Sequence, residues 1–364
     1  MAANFDLSNL AIQAVCPNNE LLYDDKGLPS VMVKIPKKTY AELGLGSSTA
    51  VHPAFIVNGQ EVDAVYISKY QNIVQNGRAY SLPGQDPGNN IYGADALAAC
   101  TAKGAGWHLM SRAEWALVAL LSKNLGTMPK GNNNYGKDTS ESAYVAIPSM
   151  ARDGNGKIQR VATGTGPLAW SHDGTPSGIW DLNGNVSEWV GGIRLVNGEL
   201  QILPNNDAAD LNNSQALAAA TWKAIDGTDG SLITPNGSGT TTNSLKLDYV
   251  SSAWKWITGT ISSKVDQSRS CSFEAISVDS GVSAAAILLL QALGLYKYDN
   301  TAGAYLGDVF WANNGQAERG FICGGYWRHG GAAGVFLAYG AYSFFSYRDG
   351  SIGFRSAFVN LPSA

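Results

Sequence analysis

Glycine occupies 42 of 364 positions, and no other feature constrains this chain as much. Glycine weakens helix and strand interiors and serves turns, so a loop-rich fold with much irregular structure is expected. Charged residues make up only 15%, while the 45% hydrophobic share is ordinary for a globular protein. The length suits one large α+β domain with insertions. The net charge is −4, with no Lys/Arg run and no aromatic residues interleaved with cations, so nucleic acid is not an expected partner.

Residues 1–30 read as a leader segment. Its start, Met1-Ala-Ala-Asn-Phe-Asp6, lacks a basic n-region and an apolar h-region, so no standard signal peptide is expected. The longest apolar run, 282–295, is too short to span a bilayer and reads as a buried helix ending at Gly294. No membrane insertion is expected. Cys16, Cys100, Cys271 and Cys323 lie far apart without a C-x-x-C pair, which favours free buried thiols over a disulfide framework or a zinc site.

Ser30-Val-Met-Val-Lys-Ile35 alternates as a strand, and a second strand is expected around 62–66. Residues 94–103 read as a helix stopped by Gly104. The strongest local signal is Ser111-Arg-Ala-Glu114, a capping box opening a helix, with Met110 and Trp115 at the positions of a hydrophobic staple. Residues 130–155 are polar and loop-like. Residues 178–190 read as strand, tight Asn-Gly turn and strand, and 193–203 as a hairpin with a type I′ turn at Asn197-Gly198. Residues 204–270 form part of a long insertion, placed at about 195–300.

Four motifs occur in order: His108-Leu-Met-Ser-Arg-Ala-Glu-Trp-Ala116, Gly178-Ile-Trp-Asp-Leu-Asn-Gly-Asn-Val-Ser-Glu-Trp189, Cys323-Gly-Gly-Tyr-Trp327 and Gly353-Phe-Arg355. Together they resemble the "RLPTEAEWE", "GLYDMxGNVxEW", "RGGSW" and "GFR" motifs of the formylglycine-generating-enzyme (sulfatase-modifying factor) type of C-type lectin fold. The resemblance spans residue 31 to the end and implies one α+β, C-type-lectin-like domain over 31–364, with two helices on small twisted sheets.

Within that fold, residues 321–359 resemble the variable region of diversity-generating retroelement proteins. There, adenine mutagenesis of Asn codons yields many residues but never Lys, Glu, Gln or Met. The chain holds 40 residues of these four types, all within 1–320 and none in 321–359. The resemblance implies a ligand- or receptor-binding protein, not an enzyme. Its variable positions would be Tyr326, Arg328, His329, Ala332, Leu337, Tyr339, Ala341, Tyr342, Phe345, Tyr347, Asp349, Gly350 and Ser351. Trp327, Gly334, Val335, Phe336, Gly353, Phe354 and Arg355 would be scaffold. The Tyr- and Phe-rich mixture with Gly, Ser and Ala also suits a paratope-like surface, with Tyr326, Tyr339, Tyr342 and Tyr347 exposed. The implied partner is a protein or other surface ligand, and the implied location a virion or a host cell surface.

Enzyme chemistry finds little support. The oxidases of this fold use a reactive cysteine pair near the C-terminus, where residues 324–364 contain no Cys. The histidines His52, His108, His172 and His329 show no paired spacing. Asp181, Asn183, Asn185 and Glu188 do not follow EF-hand geometry; no cofactor is expected, although structural calcium stays open. Two competing classes remain: a formylglycine-generating-enzyme-like oxidase or inactive relative with a fixed small-molecule cleft, and a structural virion protein. The oligomeric state is not readable.

Overall fold

The structure is a computed structural model describing residues 7–362. The first six residues, on which the signal-peptide expectation rests, lie outside the described residues. Among the described residues the architecture is α+β: four α-helices, a five-stranded sheet, a twelve-stranded sheet and two two-stranded sheets. The helices are α1 (Leu7–Val15), α2 (Gly93–Thr101), α3 (Arg112–Asn124) and α4 (Ala284–Ala292).

The capping box forms as expected. The Ser111 hydroxyl accepts from Glu114 N and the Glu114 carboxylate accepts from Ser111 N at 2.8 Å, fixing where α3 begins. Helix α3 packs against strands Ser187–Val196 and Gly334–Tyr342, which explains its burial on nearly every side. At the other end of the apolar run, Gly294 at φ 60° follows α4.

In the five-stranded sheet the order is Asn19–Tyr23, Pro29–Pro36, Ala64–Ser68, Ser356–Phe358 and Trp107–Leu109, all antiparallel. Residues 19–30, assigned on sequence to a leader, therefore include the edge strand of this sheet. The expectation of small sheets is also corrected. Strand Ser187–Val196 pairs with Arg319–Gly324 and Glu199–Ile202 on either side and, in parallel, with Ile352–Phe354. From there the large sheet extends through Glu199–Ile202, Lys246–Val250, Ala253–Ile257 and Ser277–Val278 on one side and through Gly334–Tyr342, Val309–Ala312 and Arg269–Ser272 on the other. The insertion thus widens one sheet rather than forming a separate layer.

Asn197 and Gly198 both take positive φ, as a type I′ turn requires. Residues 178–186 form no strand. Asp181 and Asn185 sit at φ 62°, which breaks any extended run, and pairing begins only at Ser187.

The chain carries four free cysteines: Cys100 and Cys323 buried, Cys16 and Cys271 half-buried. Burial pushes the Cys323 thiol up to about 11, and its sulfur accepts from Arg112 Nη1 at 2.9 Å. No helix among the described residues is long and apolar enough to cross a membrane.

Candidate functional site

The residues flanking the C-terminal segment are fixed by a buried ion pair. Arg355 donates from Nε to Glu188 Oε2 and from Nη2 to Glu188 Oε1, both at 2.6 Å, and both residues are buried. The remaining Arg355 donors reach Ser68 O and Trp180 O at 3.0 Å, and Gln71 Nε2 donates to Glu188 Oε1 at 2.9 Å. One guanidinium thus ties together both sheets and the 178–189 motif. Asn183 and Asn185 serve the same loop: Asn183 Nδ2 donates to Pro129 O, and Asn185 Nδ2 donates to Gln71 Oε1 and Val161 O. Asn185 Oδ1 accepts from Val161 N at 2.9 Å. Among the described residues, no group of three or more His, Cys, Asp or Glu side chains is arranged to hold a metal ion.

Asp181 is the strained member of this loop. Burial lifts its carboxyl to about 6; Oδ2 accepts from Gly164 N at 2.9 Å, and Oδ1 has no hydrogen-bond partner among the described residues. An acid whose folded pKa lies above its unfolded value near 3.8 contributes stability that is complete below pH 3.8 and lost as pH rises through 6. Asp181→Asn is expected to remove about 2 kcal/mol of stability change between pH 4 and 6. Urea unfolding of both proteins across that range checks this; parallel pH profiles would place the proton elsewhere.

Between the anchors, main-chain atoms hold the segment. Trp327 N donates to Asn185 O at 3.3 Å, Tyr135 N to Trp327 O at 2.7 Å, and Gly330 N to Asn133 O at 2.9 Å. Further on, Ala94 N donates to Phe344 O, Asn90 N to Asp349 O and Ser187 N to Ser351 O, at 2.8–3.1 Å. None of these bonds depends on the identity of a side chain within 326–351.

The side chains above this backbone form a continuous aromatic row. Tyr326 meets His329 edge-on at 4.1 Å between centroids, His329 stacks on Trp311 at 5.5 Å, and Trp311 stacks on Tyr339 at 5.4 Å. Tyr339 then stacks on Tyr342 at 4.6 Å, and Tyr342 on Tyr347 at 3.8 Å with planes 5° apart. Arg328 closes the row, with Nε donating to the Tyr326 hydroxyl at 2.8 Å. Burial and the Arg328 charge depress His329 to about 4, so it is neutral near pH 7 and its Nδ1 accepts from Tyr326 N. Burial, with the Tyr339 and Tyr347 hydroxyls, pushes the Tyr342 phenol well up.

Sequence reading and structure differ at several positions. Arg328 and Asp349 are exposed. Tyr326, His329, Ala332, Tyr339, Tyr342, Phe345, Tyr347 and Gly350 are half-buried; the four tyrosines were expected at the surface, but contacts among the aromatic rings cover part of each. Leu337, Ala341 and Ser351 are buried and form no part of an exposed face. Leu337 lies in a strand flanked on both sides, between Arg319–Gly324 and Val309–Ala312. Ser351 is spent on a turn, its N and Oγ both donating to Asp349 Oδ1. Of the scaffold residues, Trp327, Val335, Phe336, Phe354 and Arg355 are buried.

Trp311 lies outside 321–359 and was missed. It joins the row because Val309–Ala312 runs parallel to Gly334–Tyr342 with Trp311 opposite Tyr339. Its signal was the apolar run Val309-Phe-Trp-Ala312, readable as a strand but not as part of a site. Beside the row, a cavity of about 340 Å³ is lined by Asn133, Asp138, Asn183, Asp308 and Val335 among others. Burial raises the Asp308 carboxyl well above its usual range, and its Oδ2 accepts from Phe336 N at 2.8 Å.

No protein-family model matches the chain, and no curated protein matches it. Four solved chains do. One, titled Treponema denticola variable protein 1, is 10% identical and aligns over 94% of this chain and 99% of its own, with a TM-score of 0.34. Another, PvdO from Pseudomonas aeruginosa, is 12% identical over 94% and 98%, with a TM-score of 0.32. The first carries the description "variable protein", the class that residues 321–359 resemble.

Proposed function

We propose that this chain is a ligand- or receptor-binding protein of C-type-lectin-like type, not an enzyme. Its segment 321–359 is diversified by a retroelement and displayed on a virion or cell surface. The observation that carries this reading is the attachment of 326–351 through main-chain atoms, between side-chain anchors that lie outside the replaceable positions. A surface held in that way accepts new side chains without losing its shape. In this copy it carries half-buried tyrosines with the exposed Arg328 at one end, a composition suited to protein contacts.

The fixed-cleft alternative would place its ligand in the Asp308 cavity. Against it, Cys323 is buried with a raised thiol pKa, which opposes thiolate chemistry there.

Sequencing the 3′ end of the gene across one population tests the proposal. Differences should concentrate at Tyr326, Arg328, His329, Tyr339, Tyr342 and Tyr347 and trace to adenines in a template copy. A segment no more variable than 1–320 would sink it. Stability offers a second check: Arg328→Ser and Tyr347→Ser are expected to cost no more than about 2 kcal/mol, against about 3–5 kcal/mol for Phe336→Ser. Equal losses at all three, measured by urea unfolding, would show that the row is core.

A further inference from the structure

Away from the aromatic row, strand Ser187–Val196 carries Arg194 opposite Gln201 of Glu199–Ile202. Arg194 is only 8% exposed, yet it forms no ion pair among the described residues. Its Nε donates to Gln201 Oε1 at 2.9 Å and its Nη1 to Leu217 O at 2.8 Å. Gln201 Nε2 in turn donates to the buried Glu199 at 2.8 Å, so the inner side of the guanidinium is relayed to a carboxylate. The outer side is not. Nη2 has no hydrogen-bond partner among the described residues and is not sealed off, and Arg194 lines an open cavity beside it.

That cavity measures about 410 Å³. Trp222 forms one wall, its ring centroid 4.3 Å from the guanidinium carbon. Leu217, Ala219 and Pro235 make much of the rest apolar. Glu318 also lines it but forms no ion pair with Arg194; burial raises its carboxyl pKa, and its Oε1 accepts from Phe344 N at 3.3 Å. A buried guanidinium with free donors, one aromatic face covered and an apolar chamber ahead of it is the arrangement that binds an oxyanion attached to a hydrophobic body.

We propose that the Arg194 cavity is a second binding site, independent of the variable surface, that takes the carboxylate of a small organic acid. The carboxylate meets Nη2 and its apolar body fills the space beside Trp222, Leu217 and Pro235. Because every group involved lies outside 321–359, the site is the same in every diversified copy.

Titration calorimetry of the full chain with sodium benzoate tests this, with sodium phosphate and sodium chloride at matched ionic strength as comparators. The expected result is saturable binding of one benzoate per chain, with neither comparator binding. Arg194→Gln should weaken it at least tenfold. If that variant does not fold, Ala218→Leu decides, since it adds bulk at the exposed rim and leaves Arg194 in place; it too should weaken benzoate tenfold or more. Absence of saturable benzoate binding, stronger binding of phosphate, or benzoate binding unchanged in the variant that folds would overturn the proposal. None of these outcomes bears on diversification at 326–351, which the population sequencing reads separately.

Discussion

Arg355→Met is expected to lower the unfolding free energy by about 3–5 kcal/mol, the largest loss from any single side chain outside the hydrophobic core. Methionine fills much of the same volume but leaves Glu188 as an uncompensated charge that is 1% exposed, beside strands that cannot move apart to hydrate it. It also removes the donors that reach Ser68 O and Trp180 O. Urea unfolding followed by tryptophan fluorescence measures the loss. The double variant Glu188→Leu with Arg355→Met should recover a large part of it, because the penalty lies in stranding one charge rather than in lacking the pair. A single-variant loss below about 1 kcal/mol would mean that the pair is hydrated and does not bind the sheets together.

Gly131→Ala is expected to cost about 3 kcal/mol, at the upper end of the range for overpacking. A Cβ at residue 131 would stand 1.7 Å from Asn183 O and 2.8 Å from its carbonyl carbon. Backbone, not a flexible side-chain tip, is in the way, so one loop must move. Gly184 faces the same contact from the other side, with Asn132 O 2.2 Å from its own would-be Cβ, at φ 83°. These two loops supply Asn133 O and Asn185 O, which hold Gly330 N and Trp327 N. The substitution should therefore speed hydrogen exchange at those two amides beyond any global effect. Unchanged exchange there, with stability within about 0.5 kcal/mol of the parent, would mean that the loops do not carry the segment.

What the sequence disclosed and what it hid divide along the range of the interactions involved. The start of α3 was readable because its capping box lies within four residues. So was the Asn197-Gly198 turn, whose backbone demand is met by the two residues themselves. The width of the large sheet was not readable: Val309–Ala312 and Gly334–Tyr342 find each other through a parallel pairing that no local pattern encodes. The same pairing hid Trp311. At the site, composition identified the tyrosine-rich segment but could not say which rings would cover one another. Leu337 looked replaceable by position and is sealed by strands on both sides, whereas Arg328 and Asp349 reach solvent from loops.

Strand Ser356–Phe358 lies between Ala64–Ser68 and Trp107–Leu109, two strands made long before it during synthesis. Until it emerges, the five-stranded sheet has a gap with two unpaired edges, and the nascent chain must keep them apart from other chains. The segment 326–351 has to close its loops before this last strand can seat. A substitution that keeps 326–351 from closing leaves the gap open and its edges free to pair with other chains. Completion of the five-stranded sheet thus depends on a segment that contributes no strand to it.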